Sequence, residues 1–393
     1  MSDGELAESI LKAASRVVAL HGVKKASVSS IAAEAGIARA TVYRTFDDKE
    51  TIIAAMIEYE FARFFGDLYL NVAKLTTLES VIEEGLSFAH AAVEHHFLLQ
   101  TILREDPAAL EPALSGAAVA IEPVIAGIFA PYLPAGRHRD EYADFLARLG
   151  LSYIATQGRW DFSKRRDVRQ VAELELLAGL RGPLVKVPAA TPAPLVEVTD
   201  KSLRTRVINA TLEEIGSGRY SDISIDRIAS KVRSSRATVY RLIPGGNQSL
   251  LDMCAEREAS RLLAAVVAAM SAESELQRGL LAGMTTIWRH LSDHQALAHI
   301  VRVNPDFLNR RIRFDEASRT FSIASSAVEP LLRRWLPSPD AGRLAEWVIR
   351  VIISYWMNPA SYLDVRDAVS VAAFYGRHVA PGVEAIASLS AVD

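Results

Sequence analysis

The sequence predicts an all-α chain made of two copies of one helical unit, and three observations carry that reading. Arg39-Ala40-Thr41-Val42-Tyr43-Arg44 recurs letter for letter as Arg236-Ala237-Thr238-Val239-Tyr240-Arg241, each copy downstream of an Ile-Ala pair, Ile31-Ala32 and Ile228-Ala229. Self-similarity at a wide fixed offset marks duplication of a folding unit. Apolar residues recur at helical spacing, as in Ile10, Leu11, Ala14, Val17 and Val18. Further landmarks are shared: Arg104-Glu105-Asp106-Pro107 against Arg302-Val303-Asn304-Pro305, Glu122-Pro123 against Glu329-Pro330, Leu133-Pro134 against Leu336-Pro337, and Ser152-Tyr153 against Ser354-Tyr355. The repeat therefore covers whole domains.

Leu6 to His21 reads as the first helix, stopped by Gly22. Ser27 is an N-cap for a short second helix carrying Val28, Ile31 and Ala32, which stops at Gly36, a residue that tolerates the left-handed backbone of a tight turn. In the hexapeptide, Val42 is the position a short helix buries, which leaves Arg39, Thr41, Tyr43 and Arg44 for other contacts. Those residue types suit a nucleic acid: arginine forks onto a guanine edge or a phosphate, threonine touches a thymine methyl or a phosphate, and tyrosine donates its hydroxyl to a phosphate oxygen. Two short helices joined at a glycine read as helix-turn-helix, at about 27–46 and again at about 224–243.

After Lys49 a long helix carries Ile52, Ile53, Met56, Ile57, Tyr59, Phe61 and Phe64. The pattern stays helical from Leu78 to Arg181, broken by prolines, and its penultimate helix sets Tyr142, Phe145, Leu146, Leu149 and Tyr153 on one stripe. Residues 187–199, with Pro188, Pro192 and Pro194, read as a linker between a first domain, 1–186, and a second, 200–393. Extended, such a stretch spans up to ~40 Å and joins two modules without forcing them to touch. The second domain repeats the plan. Its first helix carries Leu203, Val207, Ile208 and Leu212, its penultimate stripe is Leu344, Trp347, Val348, Val351, Ile352 and Tyr355, and its last helix holds Val365, Val369, Ala372, Ala373 and Phe374.

From Ile10 through Ile53 the order of signals resembles the TetR family of transcriptional repressors: a leading helix, Ser27 to Ile37, Thr41 to Phe46, then Lys49-Glu50 opening the next helix. The resemblance implies that the second and third helices read DNA, that the third-helix tyrosine and the lysine opening the fourth bind phosphate, and that the C-terminal helices bind a ligand and dimerise. Carried over, the implied contacts are Ser27, Arg39, Thr41, Tyr43, Arg44 and Lys49, with Ser224, Arg236, Thr238, Tyr240 and Arg241 in the second copy. That copy departs from the pattern. Arg233 replaces the turn glycine, Ser234 replaces Ile37, and the junction Leu242 to Asn247 is one residue longer, so that Asn247 stands where Lys49 does. A non-glycine residue at positive φ is uncommon, so either the second turn has another geometry or that module is less stable.

At 393 residues with a net charge of −3, the chain suits two domains of about 190 residues and does not coat nucleic acid by bulk charge. Surplus charge sits at the motifs instead: Lys24, Lys25, Arg39, Arg44 and Lys49 against Glu34, Asp47 and Asp48, and Arg219, Arg227, Lys231, Arg233, Arg236 and Arg241 against Asp222 and Asp226, with Lys201, Arg204 and Arg206 available near the start of the second domain. Cys254 is the one cysteine, which excludes an intrachain disulfide and fits a reducing cytoplasm. No apolar run approaches a membrane span, and the start, Met1 to Glu5, lacks the basic residues of a secretory signal. A soluble, cytoplasmic protein is expected.

Each motif has a plainer reading. The hexapeptide is otherwise a solvated helix surface, though two occurrences in matching context disfavour that. His90, His95 and His96, or His290 and His294, stand at spacings a metal accepts, but no His-Glu-x-x-His motif frames them, and a structural role is preferred; no metal or cofactor is expected. Phe88 and Trp288 are candidates for lining an apolar effector pocket, while Phe97, Trp347 and Trp356 fit core or interface. Cys254 lacks a basic cluster and reads as an inert thiol. With no Gly-x-Ser-x-Gly elbow, Walker loop or paired-cysteine site, catalysis is not expected.

The reading that results is a DNA-binding repressor released by a small-molecule effector, working on a double-stranded operator as a single-chain pseudo-dimer in which Tyr142, Phe145, Leu149 and Tyr153 pair with Trp347, Val351 and Tyr355. A homodimer of the tandem chain is a further possibility. The alternative is a ligand-sensing or protein-interaction module in which the second domain no longer binds DNA and serves as a built-in dimerisation partner.

Overall fold

The structure, a computed structural model, describes residues 2–96, 98, 101–102, 123–136, 138–155, 158–195, 200–220, 223–303 and 324–389. Phe97, Arg104 to Pro107, Asp222 and Asn304-Pro305 lie outside the described residues. Among those described, every regular element is a helix, and the chain forms two compact units that divide between Leu177 and Ala178.

The first unit opens with α1 (Asp3–His21), which begins three residues earlier than its apolar spacing indicates. The cause is a capping box: Ser2 accepts from the Glu5 amide while Glu5 accepts from the Ser2 amide at 2.7 Å. Val28–Ala35 forms α2, capped by Ser27, and Arg39–Thr45 forms α3. Between them Gly36 sits at φ +69 and its amide reaches back to Ala32 and Ala33. Ile10, Val17, Ile31, Val42, Ile52 and Met56 close one core behind these helices. Helix α4 (Lys49–Val72) starts at Asp48, whose carboxylate accepts from the Thr51 amide and hydroxyl, both at 2.7 Å. It then runs beside α5 (Leu78–His95), and the described body also holds α6 (Arg139–Ala155) and α7 (Arg165–Val171), which the wide turn Ala172–Leu176 extends.

In the second unit, α8 (Ala178–Arg181) and residues 183–195 precede α9 (Leu203–Gly216), capped by Ser202. Then come α10 (Ile225–Lys231), α11 (Arg236–Leu242), α12 (Gly246–Ser271), α13 (Leu276–Asp293), α14 (Gln295–Val303), α15 (Ser338–Met357), α16 (Ala368–Phe374) and α17 (Ala380–Leu389). The five-residue wide turn Tyr375–Val379 joins the last two into one continuous rod, and so admits Pro381, which has no amide proton for a helical bond. The proline-rich stretch is docked rather than loose where it is described. The Val185 amide donates to the Gly376 carbonyl at 3.1 Å, the Ala193 amide donates to Thr286 Oγ1 at 3.1 Å, and His290 Nε2 meets the Ala193 carbonyl at 2.7 Å. Gly376 is required there, because a Cβ would stand 2.1 Å from the Val185 carbonyl oxygen.

The second helix-turn-helix keeps the geometry of the first. Arg233 takes φ +52 and its amide bonds to the Ser230 carbonyl, as Gly36 does to Ala33; Ser234 bonds to Ala229 as Ile37 does to Ala32. An L-residue held in that region costs on the order of 1 kcal/mol. Arg233→Gly is therefore expected to raise the urea stability of the second unit by up to about 1 kcal/mol, and Gly36→Ala to lower that of the first by a similar amount; a loss of stability in Arg233→Gly would contradict the strain.

Candidate nucleic-acid interface

Each third helix is seven residues long and buries one side chain completely, Val42 in α3 and Val239 in α11. The remaining positions stay outward. Arg39 lies over the Tyr43 ring, 5.3 Å from its centroid, and Nη2 donates to the tyrosine hydroxyl at 2.9 Å, while Tyr43 is 43% exposed and Arg44 is exposed. Arg236 stacks on Tyr240 at the same 5.3 Å, with Tyr240 40% exposed and Arg241 exposed. Stacking of a guanidinium on an exposed ring contributes roughly 0.5–1 kcal/mol and fixes both side chains on the outer face before any ligand arrives.

The threonines and serines serve the helices first. Thr41 and Thr238 are half-buried. Ser27 and Ser224 cap α2 and α10 by accepting from the Ser30 and Arg227 amides at 3.1 and 3.3 Å. Ser235 caps α11, and its hydroxyl meets that of Thr238 at 2.7 Å; the equivalent Ala38 gives α3 no side-chain cap. Lys49 is half-buried, with Nζ donating to the Lys24 carbonyl at 3.4 Å. Asn247, in its place, accepts from the Ile225 amide at 3.2 Å and donates to the Ile223 carbonyl at 3.0 Å. The asparagine pins the start of α10 and brings no charge.

Charge distinguishes the two heads more than a residue count implies. In the first, Glu34 is paired with Arg16 at 2.5 Å, and Arg39 donates to the Tyr43 hydroxyl. In the second, Glu214, 4% exposed, gathers Arg219 at 2.7 Å, Arg227 at 2.9 Å and Lys231 at 2.7 Å. Asp226 pairs with Arg236 at 2.8 Å. Three cations that the sequence places in the DNA footprint are thus committed to one carboxylate, and Arg206 donates to the Val232 carbonyl at 3.3 Å. Glu214 does not stand out in sequence, because its partners come from the loop and the helix that follow it.

The helices behind the heads carry a duplicated pair. Glu60 lies 3.5 Å from His96, and Glu258 lies 3.4 Å from His294; both histidines end their helices, α5 and α13. Burial pushes both carboxyls up, but hydrogen bonding to the histidine and nearby arginines outweigh it, so that Glu60 falls below its ordinary value and Glu258 reaches about 2. Among the described residues no cluster of His, Cys, Asp and Glu fit for a metal occurs. Burial lifts the Cys254 thiol to about 12, well out of the reactive range.

Two apolar cavities lie in the first unit, and neither is lined by Phe88 or Trp288. Phe88 stacks with Phe64 at 5.7 Å, and Trp288 is wholly buried in the second unit, its indole N–H donating to the Ile352 carbonyl at 3.1 Å. Of the expected interface residues, Phe145, Leu149, Tyr153, Trp347, Val351 and Tyr355 are all at most 1% exposed within the single chain, and Tyr142 is half-buried. No described helix is long and apolar enough to cross a membrane.

The model of the bacterial regulatory proteins of the tetR family matches residues 10–56, which hold most of α1, all of α2 and α3, and the start of α4. No curated protein matches the chain. Among solved structures it is similar to the TetR family repressor AlkX of Dietzia sp., at 21% identity over 48% of this chain and 98% of that one, with a TM-score of 0.38. It is also similar to the FadR of Thermus thermophilus in complex with lauroyl-CoA (19%, 47% and 99%, TM-score 0.30) and the FadR of Bacillus subtilis in complex with stearoyl-CoA (19%, 42% and 96%, TM-score 0.29).

Arg219 and Lys231 hold the Glu214 carboxyl at about 2, against 4.5 for a free glutamate. A folded value below the unfolded one means that the cluster's contribution is complete above pH 4.5 and is lost as the pH falls toward 2. In Glu214→Gln, the stability of the second unit, followed by the fluorescence of Trp288, Trp335, Trp347 and Trp356, should be lower at neutral pH and depend less on pH across that window. An unchanged pH profile would show that the cluster does not couple to folding.

Proposed function

We propose that this chain, which carries a tetR-family DNA-binding domain over residues 10–56, is a sequence-specific transcriptional regulator, a repressor released by a small-molecule effector, that presents two reading heads from one polypeptide. The observation that carries the reading is the repeated third helix: twice, one buried valine and a left-handed turn hold an arginine-tyrosine pair outward. Tyr43, Arg44, Tyr240 and Arg241 would meet phosphates and base edges, with Arg39 and Arg236 beside them. Lys49, half-buried at the start of α4, would add a phosphate contact in the first head alone.

In this reading Phe145, Leu149 and Tyr153 pair with Trp347, Val351 and Tyr355 as an internal pseudo-dimer. Docking on one duplex face requires head centres roughly 34–36 Å apart, or a multiple of that. The head with Asp226 and Asn247 would bind its half-site more weakly, so that the preferred operator is an imperfect palindrome.

Tyr43→Ala or Arg44→Ala in the full chain should weaken operator binding by about 1–3 kcal/mol and flatten its salt dependence; an unchanged gel shift for both removes the first head from the reading. Asp226→Ala releases Arg236 and should tighten binding and steepen the salt dependence. If it alters neither, the second domain is a dimerisation partner without DNA contact, as the alternative holds.

A further inference from the structure

The turn of the second helix-turn-helix holds the one non-glycine residue at positive φ among the described residues, Arg233 at +52. Its counterpart Gly36 takes φ +69, a conformation that glycine adopts freely and that strains an L side chain. Asparagine and aspartate are the usual exceptions, because their short polar side chains bond to the backbone beside them. Arginine brings no such return here. Among the described residues the exposed Arg233 side chain enters no hydrogen bond and no ion pair.

The position itself faces outward. A Cβ built on Gly36 would meet nothing within 4 Å. The Gly36 and Arg233 amides make equivalent bonds, to Ala33 at 3.2 Å and to Ser230 at 3.1 Å, so the arginine side chain leaves the same turn toward open space.

Its basic neighbours lack that freedom. Of the cations from Arg219 to Arg241, three are held on Glu214 and Arg236 is held on Asp226. Asn247 stands in the place of Lys49, and its side-chain amide is bonded to Ile223 and Ile225. Only Arg233 and Arg241 are left without an acidic partner among the described residues. Arg233 lies three residues before α11 and Arg241 in its last turn, so the two bracket the Arg236–Tyr240 stack along the chain.

We propose that Arg233 is a phosphate-contacting residue of the second head, supplying from the turn the positive charge that Asn247 does not supply near the start of α12. A guanidinium grips a phosphate through two parallel donors, and a contact of that kind sets register without reading sequence. Backbone strain at the turn is then the counterpart of a charge placed where the duplex passes. The proposal rests on the reading above that α11 faces DNA, and its test separates the two.

The full chain is titrated into a fluorescent mixed-sequence duplex of about 40 base pairs, roughly four helical turns, at several salt concentrations, and its melting temperature is measured in parallel. Arg233→Gly should lower the slope of log affinity against log salt by about one and weaken binding about five- to tenfold near 0.1 M salt. The same variant should raise the melting temperature, because it relieves the turn. Arg233→Lys keeps the charge and should keep the slope. Loss of stability together with binding in Arg233→Gly would show a residue serving the fold alone, and would overturn the proposal. So would an unchanged slope in Arg233→Gly beside a lowered one in Arg241→Ala, which leaves the second head on DNA without this contact. A slope unchanged by either variant removes the contact and the second head's DNA reading together.

Discussion

A seven-residue helix makes too few internal hydrogen bonds to persist in water by itself, and both third helices have that length. Their direction is therefore set from outside, by a valine with no exposed surface and by the residue at positive φ that ends the preceding helix. The outward placement of the arginine-tyrosine pairs depends on that constraint. With the turn in place, residues at the first, fifth and sixth positions of the hexapeptide must face away from the core, and the arginine at the first position can settle on the tyrosine four residues on. The constraint is strict enough that the second copy keeps the same turn with an arginine where the first has glycine.

The two helix-turn-helix segments share a turn geometry and differ in the charges around it. In the first, Arg39 settles on Tyr43 and Glu34 is taken by Arg16. The second ties surface cations to Glu214 and Asp226 and caps its third helix with Ser235. Each of these changes is one expected to favour a rigid fold, at the expense of free positive charge.

The features legible in sequence were those with a local cause. Ser27 before an apolar run, Gly36 after it, and the valine of the hexapeptide each act within one or two helical turns, and each sits where its pattern indicates. The early start of α1 had its signature too, serine followed three residues on by glutamate. What could not be read were contacts made across helices. Arg219, Arg227 and Lys231 count as loose charge until folding brings Glu214 among them. Aromatic residues advertise a pocket, yet the cavities are lined by Phe61, Phe64 and Phe129 and not by Phe88, while Trp288 finds its own acceptor in the core. Likewise, proline content marks a segment that avoids helix but does not say whether it is loose.

That segment has a consequence for how the molecule can be divided. Because the Val185 and Ala193 amides spend their hydrogen bonds on Gly376 and Thr286, and His290 reaches the Ala193 carbonyl, residues 178–195 belong physically to the half that follows them. A cleavage just after the prolines would strand this strap on the wrong fragment, baring the backbone at Gly376 and unpairing a histidine and a threonine. The seam of the polypeptide lies at Leu177, ahead of the stretch whose composition advertises it.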